Sequence, residues 1–273
     1  MNLRTIFSRI IYALSILITC AGCLLLLFVG LKVFLFDTYP VNTGSMLPTI
    51  HPGSRIVVNK LIFGARLYKS LDFLNGGELH TLRLKGYRGV KYNDVVVFNR
   101  TSPLAFDIGH VYVKRCIGLP GDTIWIRDGQ YHNSSVKDGV IFQYHAFNDS
   151  RFTDTSFLES YPYHKELAWT IRNFGPLYLP RKGDRINISS TDAWLYRRMV
   201  AFENPSDVRF TPDTIFMNGI PIQTYTFKES YYFMAGDNFP SSSDSRYFGP
   251  IPETFIVGVV PLKINAKRRW ERL

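Results

Sequence analysis

The pattern of apolar positions divides the chain near residue 37. Ile10 through Leu31, "IIYALSILITCAGCLLLLFVGL", is apolar and carries no charge, and "KVFLF" extends the run to Phe36. At about 1.5 Å of rise per residue, a helix of that length crosses a hydrocarbon core of roughly 30 Å. Beyond it, short apolar runs with a period of two alternate with turn residues, as in half-buried strands. "HPGSRIVVNKLIF", "YNDVVVFN", "HVYVKRCIGLPGDTIWI", "GDRINIS", "TIFMNGIPIQTYTF" and "FIVGVVPLKI" all read this way. Asp128-Gly129 and Asn218-Gly219 are two-residue hairpin signals. The expected fold is mostly β: a single N-terminal transmembrane helix followed by an antiparallel β-sheet domain. From 123 to 230 the chain turns polar, aromatic and loop-rich, with one or two short helices, before strand signal resumes after Tyr231. The predicted organisation is a terminus over 1–9, an anchor over 10–36, a β domain over 37–122 and 231–264, a second subdomain inserted over 123–230, and a basic tail over 265–273.

Two other readings of the apolar run fit less well. A cleaved signal peptide has an apolar region of only about 7–15 residues. "CAGC" at 20–23 hints at a lipoprotein cleavage site, but "LLLLF" follows where a polar mature chain should begin. With Arg4 and Arg9 ahead of the span, the positive-inside rule makes the N-terminus cytoplasmic and puts residues after about 37 outside.

Composition sharpens this picture in four places. The chain is 46% hydrophobic with 16 Tyr and 21 Phe, ample for a β-rich core. Of the three cysteines, Cys20 and Cys23 lie in the span, and Cys116 alone cannot form a disulfide within the outer domain. The six histidines are scattered, no His/Cys spacing suggests a metal site, and no cofactor is expected. The net charge of +10 is dispersed except at the C-terminal "KRRWERL", so it favours anionic lipid or a solvated surface over nucleic acid.

The candidate chemistry centres on Ser45 and Lys114. Serine is a weak nucleophile until a base takes its proton. His51 and His110 have no acidic residue evidently placed to orient them, and they read as surface or strand-end positions. Lys114 lies mid-strand, sharing a face with Tyr112 and Cys116 while Val111, Val113 and Ile117 take the other. A mid-strand lysine is ordinarily a solvated or edge residue. Apolar neighbours on both faces predict burial instead, and burial lowers a lysine pKa towards a neutral amine able to act as a general base.

At these residues the chain resembles the type I signal peptidases. "TGSMLPT" around Ser45, "NDVVVF" at 93–98, "YVKRCIGLPGD" at 112–122 and "GDNFPSSSDSRYFG" at 236–249 match that family's four boxes in order, after an N-terminal anchor. The resemblance implies a Ser/Lys-dyad serine endopeptidase that removes signal peptides from exported preproteins. Ser45 would be the nucleophile, Lys114 the general base and Thr43, where serine is common, the oxyanion-hole hydroxyl. Ser242 falls where the family has a hydroxyl that orients the lysine. Asp237, Asp244 and Arg246 would support the loop as one ion-pair group. Tyr39, Val41, Met46, Tyr112 and Val113 would line shallow pockets for small side chains, as in Ala-x-Ala.

Phe239-Pro240 departs from the family, which has a basic or polar run there. The expected partners are preproteins bearing signal peptides and membrane lipid, with no nucleic acid, and the expected state is a monomer in the cell membrane. Two rivals share the same features: a specialised maturation peptidase with the same dyad, and a membrane-tethered binding module on a degenerate peptidase fold. A soluble self-cleaving repressor is disfavoured by the anchor.

Overall fold

A computed structural model describes residues 3–68, 81–101, 106–136 and 159–273. Much of the polar text behind the loop-rich reading of the insert, at 137–158, therefore lies outside the described residues. Helix α1 (Leu3–Gly30) runs through the apolar segment, and a π-helical turn over Leu31–Leu35 ends where Phe36 turns extended. Phe7–Leu35 is long and apolar enough to cross a membrane and is not buried against the rest of the protein.

Strand β1 (Phe36–Val41) follows without a linker and pairs with β2 (Ser54–Asn59). The junction is fastened by side chains. Lys60 Nζ donates to the Lys32 carbonyl at 2.6 Å and lies 3.4 Å from an Asp37 oxygen, and Lys32 pairs with Asp37 at 3.3 Å.

After β2 come helix α2 (Lys60–Phe63) and the strands β3 (Arg66–Tyr68), β4 (Thr81–Arg83), β5 (Val95–Thr101) and β6 (Phe106–Gly118). The segment expected to be an insert holds β7 (Thr123–Arg127), β8 (Gln130–Asn133), β9 (Phe174–Tyr178), β10 (Arg185–Asn187) and helix α3 (Ser190–Glu203). It continues through β11 (Val208–Phe210), β12 (Ile215–Met217), β13 (Ile220–Pro221) and β14 (Thr224–Thr226). The chain then returns as β15 (Tyr231–Ala235), helix α4 (Ser245–Phe248), β16 (Ile251–Pro252), β17 (Ile256–Ile264) and β18 (Trp270–Arg272). Eight of these strands form one sheet in the order β1-β2-β17-β5-β6-β15-β16, with β18 alongside β17. Every neighbouring pair in it is antiparallel.

The sheet is buried on both faces, which explains the unbroken "VVVF" at 95–98. Val95 and Val97 face a core with Val41, Met46, Ile50 and Ile56, while Val96 and Phe98 face another with Cys116 and Met234. The segment between β6 and β15 builds a third core from β7, β8, β9 and α3, into which Phe233, Ala235 and Phe239 also pack. Sheet and insert therefore share apolar side chains. Asp122 fixes the crossing point. It is buried and accepts hydrogen bonds from the Leu119 N–H (2.7 Å), Tyr92 (2.9 Å), Asn133 (2.7 Å) and Ser135 (2.6 Å).

Both hairpin signals hold: Asp128-Gly129 and Asn218-Gly219 take positive φ between paired strands. Two expectations change. "NKLIF" turns helical after Asn59, whose side chain caps α2 by accepting from the Leu61 N–H. The C-terminal tail folds back as β18, held by a turn at Asn265–Arg269 and the Lys263–Glu271 pair at 2.9 Å.

Phe233 is fully buried on β15 but packs into the third core. Phe233→Ala is expected to lower unfolding free energy by about 3–5 kcal/mol, read from denaturant melts in detergent.

Candidate active site

Ser45 lies in the turn that follows β1, closed by hydrogen bonds from Leu47 N–H to the Gly44 carbonyl (3.1 Å) and from Ile50 N–H to the Met46 carbonyl (2.8 Å). Met46 and Ile50 anchor that turn in the core with no exposed surface. Lys114 comes from the long strand β6, where it pairs with Val96 of β5. Lys114 Nζ and Ser45 Oγ are 2.6 Å apart, and the two residues are only 2% and 8% exposed.

The surroundings set the protonation of the amine. Burial lowers the Lys114 pKa from 10.5 to about 8; Asp244 and Asp237 act to raise it, and Arg246 to lower it. At that value a tenth or so of the amine is neutral at pH 7, against a negligible fraction for an exposed lysine. A neutral amine at hydrogen-bond distance from a hydroxyl can accept its proton. His51 and His110 are exposed, and Lys114 is the side chain that meets the serine hydroxyl.

A loop from Gly236 to Arg246 closes behind this pair. Asn238 holds the serine turn twice, through its N–H to the Ser45 carbonyl (3.0 Å) and its side-chain amide to the Gly44 carbonyl (2.9 Å). Gly236 donates its N–H to Asp244 at 3.0 Å. A Cβ at Gly236 would stand 2.5 Å from the Ser45 carbonyl oxygen and 2.1 Å from the Ser242 hydroxyl, so only glycine fits there.

The three charged loop residues do not form one group. Asp237 pairs with Arg115 of β6 at 2.6 Å, whereas Asp244 and Arg246 pair with each other at 2.8 Å, both with no exposed surface. Burial alone would raise the Asp244 carboxyl, but the Arg246 charge and hydrogen bonds outweigh it and hold it below its ordinary value. The Asp244–Arg246 pair is fully buried, unlike a weak exposed salt bridge, and removing either partner would strand a charge, whereas buried Asp237 meets a part-exposed Arg115. Arg115, Asn238 and Gly236 escaped notice in the sequence, although each sits inside or beside a box already singled out.

The remaining expected positions fall as follows. Ser242 is buried, and among the described residues its hydroxyl has no hydrogen-bond partner. It lies close enough to Asp244 to favour the ionised carboxylate. Thr43 is exposed two residues before the serine. Tyr39, Val41, Val111 and Val113 gather on one face of the sheet, while Tyr112 stacks on Phe248 on the other (5.7 Å between ring centres). Met46 has no exposed surface, so it backs this area and presents nothing to a ligand.

Comparison with known proteins gives one consistent answer. The family described as signal peptidase, peptidase S26, matches residues 13–177 and 179–264. A signal peptidase I of Buchnera aphidicola (subsp. Acyrthosiphon pisum) is 27% identical over 234 residues, covering 84% of this chain and 68% of that protein. One from Rickettsia canadensis is 28% identical over 242 residues, covering 88% and 76%. Signal peptidase I T of Bacillus subtilis is 34% identical over 108 residues, 39% of this chain and 42% of its own.

Gly236→Ala is expected to push the serine turn off its contact with Lys114. Ser45 should then react at least about tenfold more slowly with a serine-directed acylating probe, at an unchanged folded fraction.

Proposed function

This chain belongs to the signal peptidase family, peptidase S26, and from that premise we propose that Ser45 and Lys114 form the dyad with which it cuts signal peptides from preproteins. The observation that carries the reading is the 2.6 Å contact between a buried amine and a buried hydroxyl.

The chemistry follows from that contact. Neutral Lys114 takes the Ser45 proton as Oγ bonds to the scissile carbonyl carbon, and the carbonyl electrons move onto oxygen. Thr43 Oγ1 and the Ser45 N–H are the donors assigned to that oxyanion; losing one such donor typically costs about 10²–10³ in rate. As the C–N bond breaks, the Lys114 ammonium returns its proton to the departing amine. Water, activated by the same amine, then hydrolyses the acyl-enzyme. Both groups come from one chain, so a monomer suffices.

Substrate and membrane fit the same scheme. A cleavage segment docks as an extended strand, with small side chains meeting Tyr39, Val41 and Val113 on one face and Val41 backed by Met46; Tyr112, stacked on Phe248 on the other face, drops out of that surface. The apolar helix anchors the enzyme with its N-terminus in the cytoplasm and its sheet outside, following Arg4 and Arg9. Ser45 lies nine residues past Phe36, at most about 30 Å of extended chain from the end of the span. Substrate cleavage sites emerge at that level. The β17–β18 hairpin, with Arg268, Arg269, Arg272 and an exposed Trp270, supports contact with anionic headgroups.

Ser45→Ala and Lys114→Met are each expected to abolish cleavage of a model preprotein in detergent while melting near wild type; retained cleavage by either would overturn the dyad. Below pH 8 the ammonium form of Lys114 predominates and cannot accept a proton. The cleavage rate is therefore expected to rise about tenfold per pH unit up to a plateau above about 8, and a rate independent of pH from 6 to 9 would exclude a lysine base.

A further inference from the structure

In the last of the four boxes the sequence leaves the family pattern at Phe239-Pro240, and the structure gives that phenylalanine a position of consequence. Its side chain is 2% exposed and belongs to the core of the insert. Its ring meets Tyr131 of β8 edge to face, with centroids 5.5 Å apart. The Arg246 guanidinium lies over the same ring, 3.8 Å from its centroid. Arg246 also donates to the Phe239 carbonyl at 2.7 Å and to both Asp244 oxygens at 2.8 Å. Phe239 is therefore the floor on which the buried ion pair rests.

The same residue follows Asn238, whose two hydrogen bonds hold Gly44 and Ser45. Burying the Phe239 ring fixes the start of the short 3₁₀ turn Phe239–Ser241, and with it the backbone of Asn238. Asp244, held by Arg246, fixes the Gly236 N–H on the other side of the serine turn. Two lines of contact thus leave one aromatic ring and converge on Ser45.

We propose that Phe239 is a positioning residue through which the inserted subdomain sets the geometry of Ser45 and Lys114. The inference rests on the dyad reading above. Phe239 touches neither reacting group; it acts through Asn238 and through the Arg246–Asp244 pair. The charged groups acting on Lys114 are Asp244 and Arg246 of the α4 segment and Asp237 of the loop, with the Tyr112 ring 5.5 Å away on its own strand. If Arg246 loses its floor and drifts from Asp244, the carboxylate is less neutralised and favours the ammonium form of Lys114.

The test compares Phe239→Leu and Phe239→Met with the wild-type full chain in detergent, each corrected for folded fraction from its melt. Both substitutions keep an apolar side chain but remove the ring face under Arg246. A desolvated cation–π contact of this kind supports an expected fall in kcat of about tenfold with KM within about twofold. The acid limb of the pH–rate profile should move to higher pH by about half a unit. Tyr131→Phe, which keeps the ring and removes a hydroxyl that has no partner among the described residues, is expected to leave both readouts at wild type.

Wild-type kcat and an unmoved acid limb in the folded leucine or methionine variant would overturn the inference, as would a loss confined to melting temperature. If Phe239→Leu does not fold, the methionine variant decides. Should Ser45→Ala retain activity, the dyad itself fails; normal kcat in Phe239→Leu beside an inactive Ser45→Ala overturns this inference alone.

Discussion

An amine kept out of water is the constraint on which the rest of the structure depends. The fall of the Lys114 pKa from 10.5 to about 8 corresponds to roughly 3 kcal/mol net against the charged form, with burial the largest cause. A solvated lysine on a strand would keep its proton and do no base chemistry at neutral pH. The sheet meets the requirement by placing Lys114 on an interior strand, with β5 on one side and β15 near its other edge, under two apolar layers. Ser45 then completes the enclosure. Dryness and contact are achieved by the same packing.

The loop behind Ser45 and Lys114 shows how charge is managed next to such an amine. Two ion pairs, Asp237–Arg115 and Asp244–Arg246, surround it, and each carboxylate is matched within its own pair. An unmatched carboxylate there would stabilise the ammonium; an unmatched arginine would be a buried charge with no compensation. Near-neutrality lets burial dominate the titration of the lysine. The cost of burying the Asp244–Arg246 pair is offset by the hydrogen bonds that the two make to the backbone and to each other.

Much of this was legible in the sequence because local chemistry and global fold agree. The apolar run, the "VVVF" strand and the Asn-Gly and Asp-Gly hairpins announce their conformation in a few residues. The burial of Lys114 was readable from its flanking apolar residues on both faces. The partners of the charged loop were not. Asp237 chooses Arg115 over Arg246, 122 positions away in sequence against nine, because β15 lies beside β6. Chain proximity gives no hint of that. "NKLIF" misled for a related reason: its alternation fits a strand, but an Asn59 cap and the backbone contact at Gly64 favour a helical turn. The need for glycine at 236 likewise follows from a neighbour almost 200 residues earlier.

The Lys32–Asp37–Lys60 junction carries a mechanical meaning. Because Lys60 belongs to the short helix after β2 and donates to the Lys32 carbonyl of the π-helical turn, the end of the apolar helix and the start of the sheet are held together by side-chain contacts. A flexible stalk would let Ser45 sample a range of heights. On the anchored reading proposed above, these contacts tie the height of Ser45 to the end of the apolar helix, so its working depth is a gauge length measured from Phe36.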